Sequence, residues 1–185
     1  WEQACVLLHR WQEAGYPPLP VSVNVSRADV CQPDLVDFLL ELTQKYGIDP
    51  KLLHLEITES AYTENSKQII ATVDALRAKG FIIEMDDFGS GYSSLNMLSQ
   101  LKLDILKLDM KFVQSETSQS ADRGILRLIV EMAHRMNLSV VAEGVETQHQ
   151  LSRLQEIGCD YVQGYLFSKP VPHVQYGELL ENFSQ

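Results

Sequence analysis

The sequence is poor in cysteine and in positive charge, and each shortage argues against a class of protein. The three cysteines, Cys5, Cys31 and Cys159, are scattered and show no Cys-x-x-Cys spacing, so we expect reduced thiols in a cytoplasmic chain rather than a disulfide framework. Lysine and arginine number 15 against 25 aspartates and glutamates, a net charge of −10. Proteins that bind nucleic-acid backbones normally present a basic surface, so we expect neither DNA nor RNA as a partner. The excess of carboxylates is instead compatible with a site for divalent cations.

Long apolar runs are also absent. No run approaches the ~20 residues that a membrane-spanning helix needs, and the first residues do not resemble a signal peptide. We therefore predict no membrane segment in this chain, while a membrane tether elsewhere in the protein stays open. The chain starts with Trp1 rather than Met, inside a predicted helix, so we expect residues 1–185 to be a fragment of a longer protein, a single domain by length that lacks its N-terminal portion.

Short apolar strands alternate with helices along the whole chain, which predicts a parallel sheet with helical crossovers. A (β/α)₈ barrel and an open doubly wound sheet both fit this alternation. An open sheet gathers only the residues beside its switch point, whereas a barrel brings every strand end to one mouth. All of the predicted strands carry a polar residue at or near the carboxyl end: Asn24, Glu56, Asp86, Lys107, Glu143 and Gln163. We therefore predict an α/β fold, a TIM-like (β/α)₈ barrel to which this chain contributes about six βα units, with the first strands lying upstream of Trp1.

Some predicted bounds bear on later sections. The pattern places a strand at 21–26, a helix from Ser93 to Leu101, and a helix from Asp122 to Met136. A polar stretch from Gln114 to Ser120 is the least ordered segment by composition. A last helix is predicted from about Val174 to Phe183.

The stretch from Phe81 to Ser94 organises the predicted site. It reads as an apolar strand that ends in two adjacent carboxylates, Asp86 and Asp87, and then turns through two glycines. Neighbouring side chains at a strand end point to different faces, so the two carboxylates are predicted to reach different cations, and one of them can bridge both. Ordinary turn chemistry is the alternative reading of an Asp-Asp pair followed by glycine.

The strand ends together supply an all-oxygen set of the kind that suits Mg²⁺ or Mn²⁺. Its members are Asn24, Glu56, Asp86, Asp87 and Glu143. Each has a structural alternative: Asn24 closing a strand, and the glutamates forming buried ion pairs, although a carboxylate in an apolar strand is costly to bury unpaired. Lys107 is predicted to orient a water or to steady phosphate charge, with a structural pair to Asp109 as the alternative.

These residues fall in motifs that resemble the bacterial EAL domain family. The motifs are Asn24-Val25-Ser26, Glu56-Ile57-Thr58-Glu59-Ser60, Asp86-Asp87-Phe88-Gly89-Ser90-Gly91-Tyr92-Ser93-Ser94-Leu95, Lys107-Leu108-Asp109, Ala142-Glu143-Gly144-Val145-Glu146-Thr147 and Gln163-Gly164-Tyr165-Leu166-Phe167-Ser168-Lys169-Pro170. The resemblance runs from Trp1 to about Pro172. It implies a barrel-fold phosphodiesterase that linearises cyclic di-GMP to 5′-pGpG with two Mg²⁺ or Mn²⁺ ions. A catalytically silent domain that binds cyclic di-GMP or a protein partner is the alternative.

The resemblance also implies roles for single residues. Asn24, Glu56 and Asp86 would hold one metal, and Asp86 would bridge to a second metal that Asp87 and Glu143 also hold. The remaining roles concern the water, the substrate and a loop: Lys107 would contact the attacking water, Glu146 and Gln163 would line the substrate side, and Glu59 would anchor the loop Asp87–Tyr92. Lys107, Glu143 and Asp87 are thus the predicted catalytic residues.

Two further expectations concern what lies around the domain. The resemblance implies a homodimer that uses the helix after the glycine loop, and a solvent-facing Leu95, Met97 or Leu98 would be its local sign, with packing on the barrel as the alternative. It also implies flanking sensory or GGDEF domains in the parent protein. The Glu-Ala-Leu motif that names the family is absent from the chain and is expected upstream of Trp1, so the isolated chain is predicted to be inactive.

Overall fold

The computed structural model describes residues 1–62, 66–89, 95–111, 124–173, 175–177 and 179. Three predicted features lie wholly or partly outside these residues: the loop Asp87–Tyr92 beyond Gly89, the polar stretch Gln114–Ser120, and most of the final helix.

Helices and strands alternate in the described residues. The helices are α1 Glu2–Glu13, α2 Arg27–Val30, α3 Leu35–Lys45, α4 Glu59–Tyr62, α5 Ser66–Ala78, α6 Leu95–Gln100, α7 Ile125–Arg135 and α8 Gln148–Ile157, with a short 3₁₀ helix at Pro50–Leu52. The strands are β1 Val21–Asn24, β2 Leu53–Thr58, β3 Ile82–Phe88, β4 Ile105–Leu108, β5 Ser139–Ala142 and β6 Tyr161–Val162. None of these helices combines the length and the apolar character that crossing a membrane requires.

The strands form one parallel sheet in sequence order from β1 to β6, curled into a half-barrel. A doubly wound sheet reverses its strand order at a switch point. The described strands show no such reversal. The prediction of barrel-type βα units is therefore confirmed, and the carboxyl ends of the strands share one edge of the sheet.

The pleat gives the sheet two chemically different faces. The outer face packs against the helices and is aliphatic, with each of these side chains at most 3% exposed: Leu53, Leu55, Ile57, Ile83, Met85, Leu106, Leu108, Val140 and Ala142. Full burial of such a side chain contributes about 2 kcal/mol. The inner face carries polar and charged residues in register across the strands: Asn24 beside Glu56, Glu56 beside Glu84, and Thr58 beside Asp86. Stability thus comes mainly from the outer face, which leaves the inner face for chemistry.

Two carboxylates, one half-buried and one exposed, fasten the strands at the end opposite the predicted mouth. Asp104 accepts hydrogen bonds from Arg77 Nη2 at 2.6 Å and from the backbone N–H of Ile83 at 3.0 Å. Asp160 accepts from the backbone N–H of Val140 at 2.8 Å and pairs with His134. In barrels this amino end of the strands serves stability rather than catalysis.

Three details differ from the sequence prediction. β1 ends at Asn24 rather than at residue 26, because the Ser26 side chain caps α2 by accepting from the backbone N–H of Asp29. α6 ends at Gln100 rather than Leu101 and α7 at Arg135 rather than Met136, while the predicted starts of these helices, Ser93 and Asp122, lie outside the described residues. The solvent-facing sign of a dimer is not found at Met97 or Leu98, which are 1% and 2% exposed; for these two residues the alternative of packing on the sheet is confirmed.

Gly164 follows β6 at a point where two backbone segments touch. A Cβ built there would lie 2.2 Å from the carbonyl oxygen and 2.3 Å from the nitrogen of Val145. Val145 cannot move away easily, because its N–H donates to Gln163 and its carbonyl accepts from Leu166, both at 3.0 Å.

We therefore expect Gly164→Ala to lower the free energy of unfolding by about 1–3 kcal/mol, because the added methyl group overpacks fixed backbone. Chemical denaturation in a chelator measures the loss. Gly124→Ala is the control, since no described atom lies within 4 Å of a Cβ there, and it should change stability by about 0.5 kcal/mol or less. Equal losses in the two variants would contradict the steric explanation.

Candidate active site

The adjacent carboxylates Asp86 and Asp87 owe their positions to an irregularity in β3. Met85 pairs with Leu106 on β4, and Phe88 pairs with Leu108. The interval of three residues on β3 therefore lies opposite an interval of only two residues on β4. Asp87 has a φ of 57°, in the left-handed region that non-glycine residues rarely adopt. Such a bulge adds a residue to the strand and re-aims its side chains. The regular alternation that the sequence predicts is therefore wrong here, and the bulge brings both carboxylates towards one cluster.

The ammonium of Lys107 lies at the centre of the acidic side chains. From β4 it reaches across β3 and donates a hydrogen bond to Glu56 on β2. Its Nζ also lies 2.7 Å from Glu143 Oε1 and 3.3 Å from Asp86 Oδ1. Lys107 is 6% exposed and Glu56 is 8% exposed, and charges so buried are costly unless they are paired. The ammonium and the carboxylates therefore stabilise one another in the interior.

These contacts and the burial of the site change the pKa values of Lys107, Glu56 and Asp87. Burial alone would lower the pKa of Lys107, but its hydrogen bonds to Glu143 and Glu56 raise that pKa above the ordinary value, so the ammonium stays charged. Burial raises the pKa of Glu56, and Lys107 offsets part of that rise. Burial, followed by the negative charge of Asp86, raises the pKa of Asp87. The crowding of like charge means that the cluster would gain from another cation.

Asp86, Asp87 and Glu143 are close enough to share a metal ion. One carboxylate oxygen from each lies within 4.8 Å of the others. Asp86 Oδ1 is buried and accepts no hydrogen bond from the described part of the chain, although Lys107 lies within ion-pair distance. Buried carboxylate oxygens normally have a hydrogen-bond partner. The orphaned oxygen and the all-oxygen donor set therefore fit Mg²⁺ or Mn²⁺.

The other predicted metal ligands lie at the same edge of the sheet. Asn24 ends β1 in register with Glu56, and its side chain is exposed. The structure thus places Asn24 beside Glu56, whose carboxylate contacts Lys107. Whether these two residues share a second cation is not tested by the geometry and stays a prediction.

The predicted substrate-side residues line a cavity next to Glu143. Glu146 and Gln163 are both exposed at its wall. The cavity has a volume of about 410 Å³, and its other lining residues are Asp109, Met110, Gly144, Gly164 and Tyr165. The structure therefore brings Glu146 and Gln163 to the edge of the acidic cluster.

Glu59 is the first residue of α4, directly after β2. It is buried, and α4 packs against β3. The loop that Glu59 is predicted to anchor is described only as far as Gly89, so its anchoring role stays a prediction.

Sequence reasoning missed Glu84 and assigned no partner to His54. Glu84 is 3% exposed and lies on the inner face, where His54 Nδ1 is 2.5 Å from its Oε1. The same argument that selects Glu56, a carboxylate within an apolar strand, would have selected Glu84. The predicted alternative for Lys107 is wrong: the Asp109 carboxylate instead accepts from the backbone N–H of Lys111 at 2.7 Å.

We expect Lys107→Met to destabilise the metal-free protein by about 3–5 kcal/mol, because it leaves buried carboxylates without a counter-charge. Mn²⁺ should recover much of this loss by neutralising the same carboxylates. Thermal unfolding in a chelator and in Mn²⁺ measures both effects. Lys102→Met, which removes an exposed ion pair to Asp74, is the control and should cost less than about 1 kcal/mol. Unchanged stability of Lys107→Met in the chelator would show that the ammonium does not hold the cluster together.

Comparison with known proteins places these residues in a family. The model of the EAL domain matches residues 1–170. The cyclic di-GMP phosphodiesterase NbdA of Pseudomonas aeruginosa is 40% identical over 181 residues, which are 98% of this chain and 23% of NbdA. The chain spans about a quarter of the length of the first curated relatives that it matches.

Solved structures agree with the sequence comparison. The PaMucR phosphodiesterase in complex with c-di-GMP is 34% identical with a TM-score of 0.88, over 95% of this chain and 71% of that one. BlrP1 of Klebsiella pneumoniae in a manganese and cy-diGMP complex is 28% identical with a TM-score of 0.84, over 93% of this chain and 43% of that one. The resemblance found in the motifs is therefore confirmed, and the chain belongs to the EAL domain family.

Proposed function

We propose that this domain, within its parent protein, hydrolyses cyclic di-GMP to 5′-pGpG with two divalent cations, Mg²⁺ or Mn²⁺; the expectation that residues 1–185 alone are inactive stands beside this proposal, so the variants below are assayed in the parent protein. The observation that carries this proposal is the acidic cluster of Asp86, Asp87 and Glu143, in which the buried Asp86 Oδ1 accepts no hydrogen bond from the described residues, beside the buried ammonium of Lys107. The phosphodiesterase name of NbdA and the manganese complex of BlrP1 support the same substrate and the same kind of cofactor.

The strand ends would hold the cations in two groups. Asn24, Glu56 and Asp86 would hold one, and Asp86 would bridge to the other with Asp87 and Glu143. Asp86 suits the bridging role, because its buried Oδ1 accepts no hydrogen bond from the described residues and lies 3.3 Å from the Lys107 ammonium, which also contacts Glu56 and Glu143. When bound, the cations neutralise charge on the phosphate and lower the pKa of a coordinated water.

Lys107 places a positive charge of the protein itself next to the proposed cations. Its ammonium stays protonated, is fixed by Glu56 and Glu143, and lies 3.3 Å from Asp86 Oδ1, so it adjoins the carboxylates that would hold the cations. A donor held there orients the attacking water and stabilises charge that develops on the phosphate. Such positioning is effective because the site has little reorganisation to undergo.

The substrate would lie over the cavity beside Glu143. Glu146 can accept hydrogen bonds, and the Gln163 amide can both donate and accept, so the two residues can contact the polar edge of a guanine base. Glu59, buried at the start of α4, would hold the glycine loop over the cations.

We expect Asp86→Asn to reduce Mn²⁺-dependent turnover at least about 100-fold, because the amide cannot bridge two cations. Formation of 5′-pGpG followed by chromatography measures turnover, and calorimetry measures Mn²⁺ and cyclic di-GMP binding. The fold should survive, since removing one of several crowded carboxylates relieves repulsion in the metal-free protein.

Asp160→Asn is the matched control. It alters the exposed carboxylate that precedes β6 and accepts from the backbone N–H of Val140 at the opposite end of the sheet, so it should lower stability but leave turnover per folded molecule unchanged. Near-normal turnover by Asp86→Asn would refute the two-metal assignment. Binding of cyclic di-GMP by the wild type without turnover would favour the alternative, a receptor of the same ligand.

The assembly and the domain context are also proposals. We infer one EAL-type domain over residues 1–185, a homodimer through the region of α6, and flanking sensory or GGDEF domains. The partial coverage of the relatives is compatible with such additional domains. Analytical ultracentrifugation over a range of concentrations tests the dimer, and a monomer at every concentration would exclude it.

A further inference from the structure

Below the acidic cluster, the inner face of the sheet carries a second charged pair that the proposed mechanism does not use. His54 Nδ1 lies 2.5 Å from Glu84 Oε1, and the two side chains are 14% and 5% exposed. A carboxylate oxygen only accepts, so the ring nitrogen donates this hydrogen bond. The pair is nearly as buried as Lys107 and Glu56.

The register places Glu84 between Lys107 and one of its partners. Glu84 on β3 lies directly beside Glu56 on β2, and on the other side it pairs with Ile105 on β4. Lys107 follows Ile105 by two residues and points to the same face. To reach Glu56, the Lys107 side chain must cross β3, the strand that carries Glu84.

Glu84 therefore has two neighbours that could bind its carboxylate. His54 lies one level nearer the amino ends of the strands, and Lys107 lies one level nearer the mouth. In the described structure Glu84 turns to His54 and forms no ion pair with Lys107. Lys107 instead contacts Glu56, Asp86 and Glu143.

We propose that His54 is a positioning residue that keeps Lys107 at the mouth by holding Glu84 away from it. The proposal rests on the proposed function, in which Lys107 orients the attacking water. Without the imidazole, a buried carboxylate loses its partner and draws the nearest ammonium towards itself. Lys107 then leaves Glu143 and Asp86 for Glu84.

This displacement changes cation binding and turnover in opposite directions. Lys107 and a divalent cation compete for the same carboxylates, so withdrawal of the ammonium strengthens Mn²⁺ binding. Turnover falls, because the ammonium no longer adjoins the water. A pair that served only stability would loosen the site when broken, and both cation binding and turnover would weaken together.

The test is His54→Leu in the parent protein. Electron paramagnetic resonance titration should show Mn²⁺ affinity raised on the order of tenfold. The kcat for cyclic di-GMP should fall on the order of tenfold with KM little changed, since a misplaced group affects the chemical step. In the metal-free protein, the ¹⁵N resonance of the Lys107 ammonium should shift, which reports the displacement without any assay of activity.

Two rescues and one control complete the design. Adding Glu84→Gln to His54→Leu removes the competing carboxylate and should restore kcat and Mn²⁺ affinity to within about threefold. His54→Asn keeps a donor near the place of Nδ1 and should resemble the wild type. Asp104→Asn weakens a half-buried clamp on the amino end of β3, so it should lower the melting temperature without moving Mn²⁺ affinity and turnover in opposite directions.

The outcomes separate the two proposals. If His54→Leu weakens both Mn²⁺ binding and turnover, or if Glu84→Gln fails to rescue it, the positioning role is overturned and the pair is structural. If His54→Leu does not fold, Glu84→Gln alone decides: kcat within about threefold of the wild type supports the proposal, and a larger loss overturns it. If the wild type neither binds Mn²⁺ nor turns over, the proposed function fails, and the ¹⁵N resonance of Lys107 still decides whether His54 holds it in place.

Discussion

The buried ammonium of Lys107 is the interaction on which the rest of the site depends. It ties β4 to Glu56 on β2 and to Glu143 after β5, and it crosses the bulged end of β3 on the way. Without a cation at this point, carboxylates from three strands would face one another in a poorly solvated interior. Lys107 therefore acts as a resident cation, and the same charges decide both the stability of the sheet edge and its affinity for metal ions. A divalent cation that enters has to share carboxylates that already have a partner.

The sheet tolerates so many charges on one face because the packing on its other face supplies most of the stability. The outer face buries aliphatic side chains against the helices, and the carboxylates of Asp104 and Asp160 fasten the amino ends of the strands through backbone N–H groups. These contacts define the register independently of the mouth. The inner face can then carry the Glu84–His54 pair and the Lys107 cluster, although neither arrangement packs as well as apolar residues of similar size would.

The sequence predicts the sheet and most of the cluster because both follow from local patterns. The alternation of elements gives parallel strands, and a carboxylate in an apolar strand identifies Glu56 without knowledge of its partner. The bulge at Asp87 was not predictable, since it depends on how β3 pairs with β4, and the hydrogen bond between His54 and Glu84 depends on the register of β2 with β3. The sequence does not predict the burial of Met97 for the same reason: a short helix has two faces, and only its packing against the sheet determines which face is covered.

The bulge of β3 combines a strained backbone conformation with a carboxylate oxygen that has no hydrogen bond in the described chain. Asp87 adopts a left-handed backbone conformation beside Asp86, whose Oδ1 has no hydrogen bond in the described chain. Each feature costs free energy of order 1–3 kcal/mol, so they persist only because the surrounding strands over-determine them. A cation that bound Asp86 and Asp87 would satisfy the orphaned oxygen and stabilise the bulge at once. The bulge is therefore the part of the fold at which cation binding and backbone conformation are most directly coupled, and the glycine loop that follows it in the sequence begins at that point.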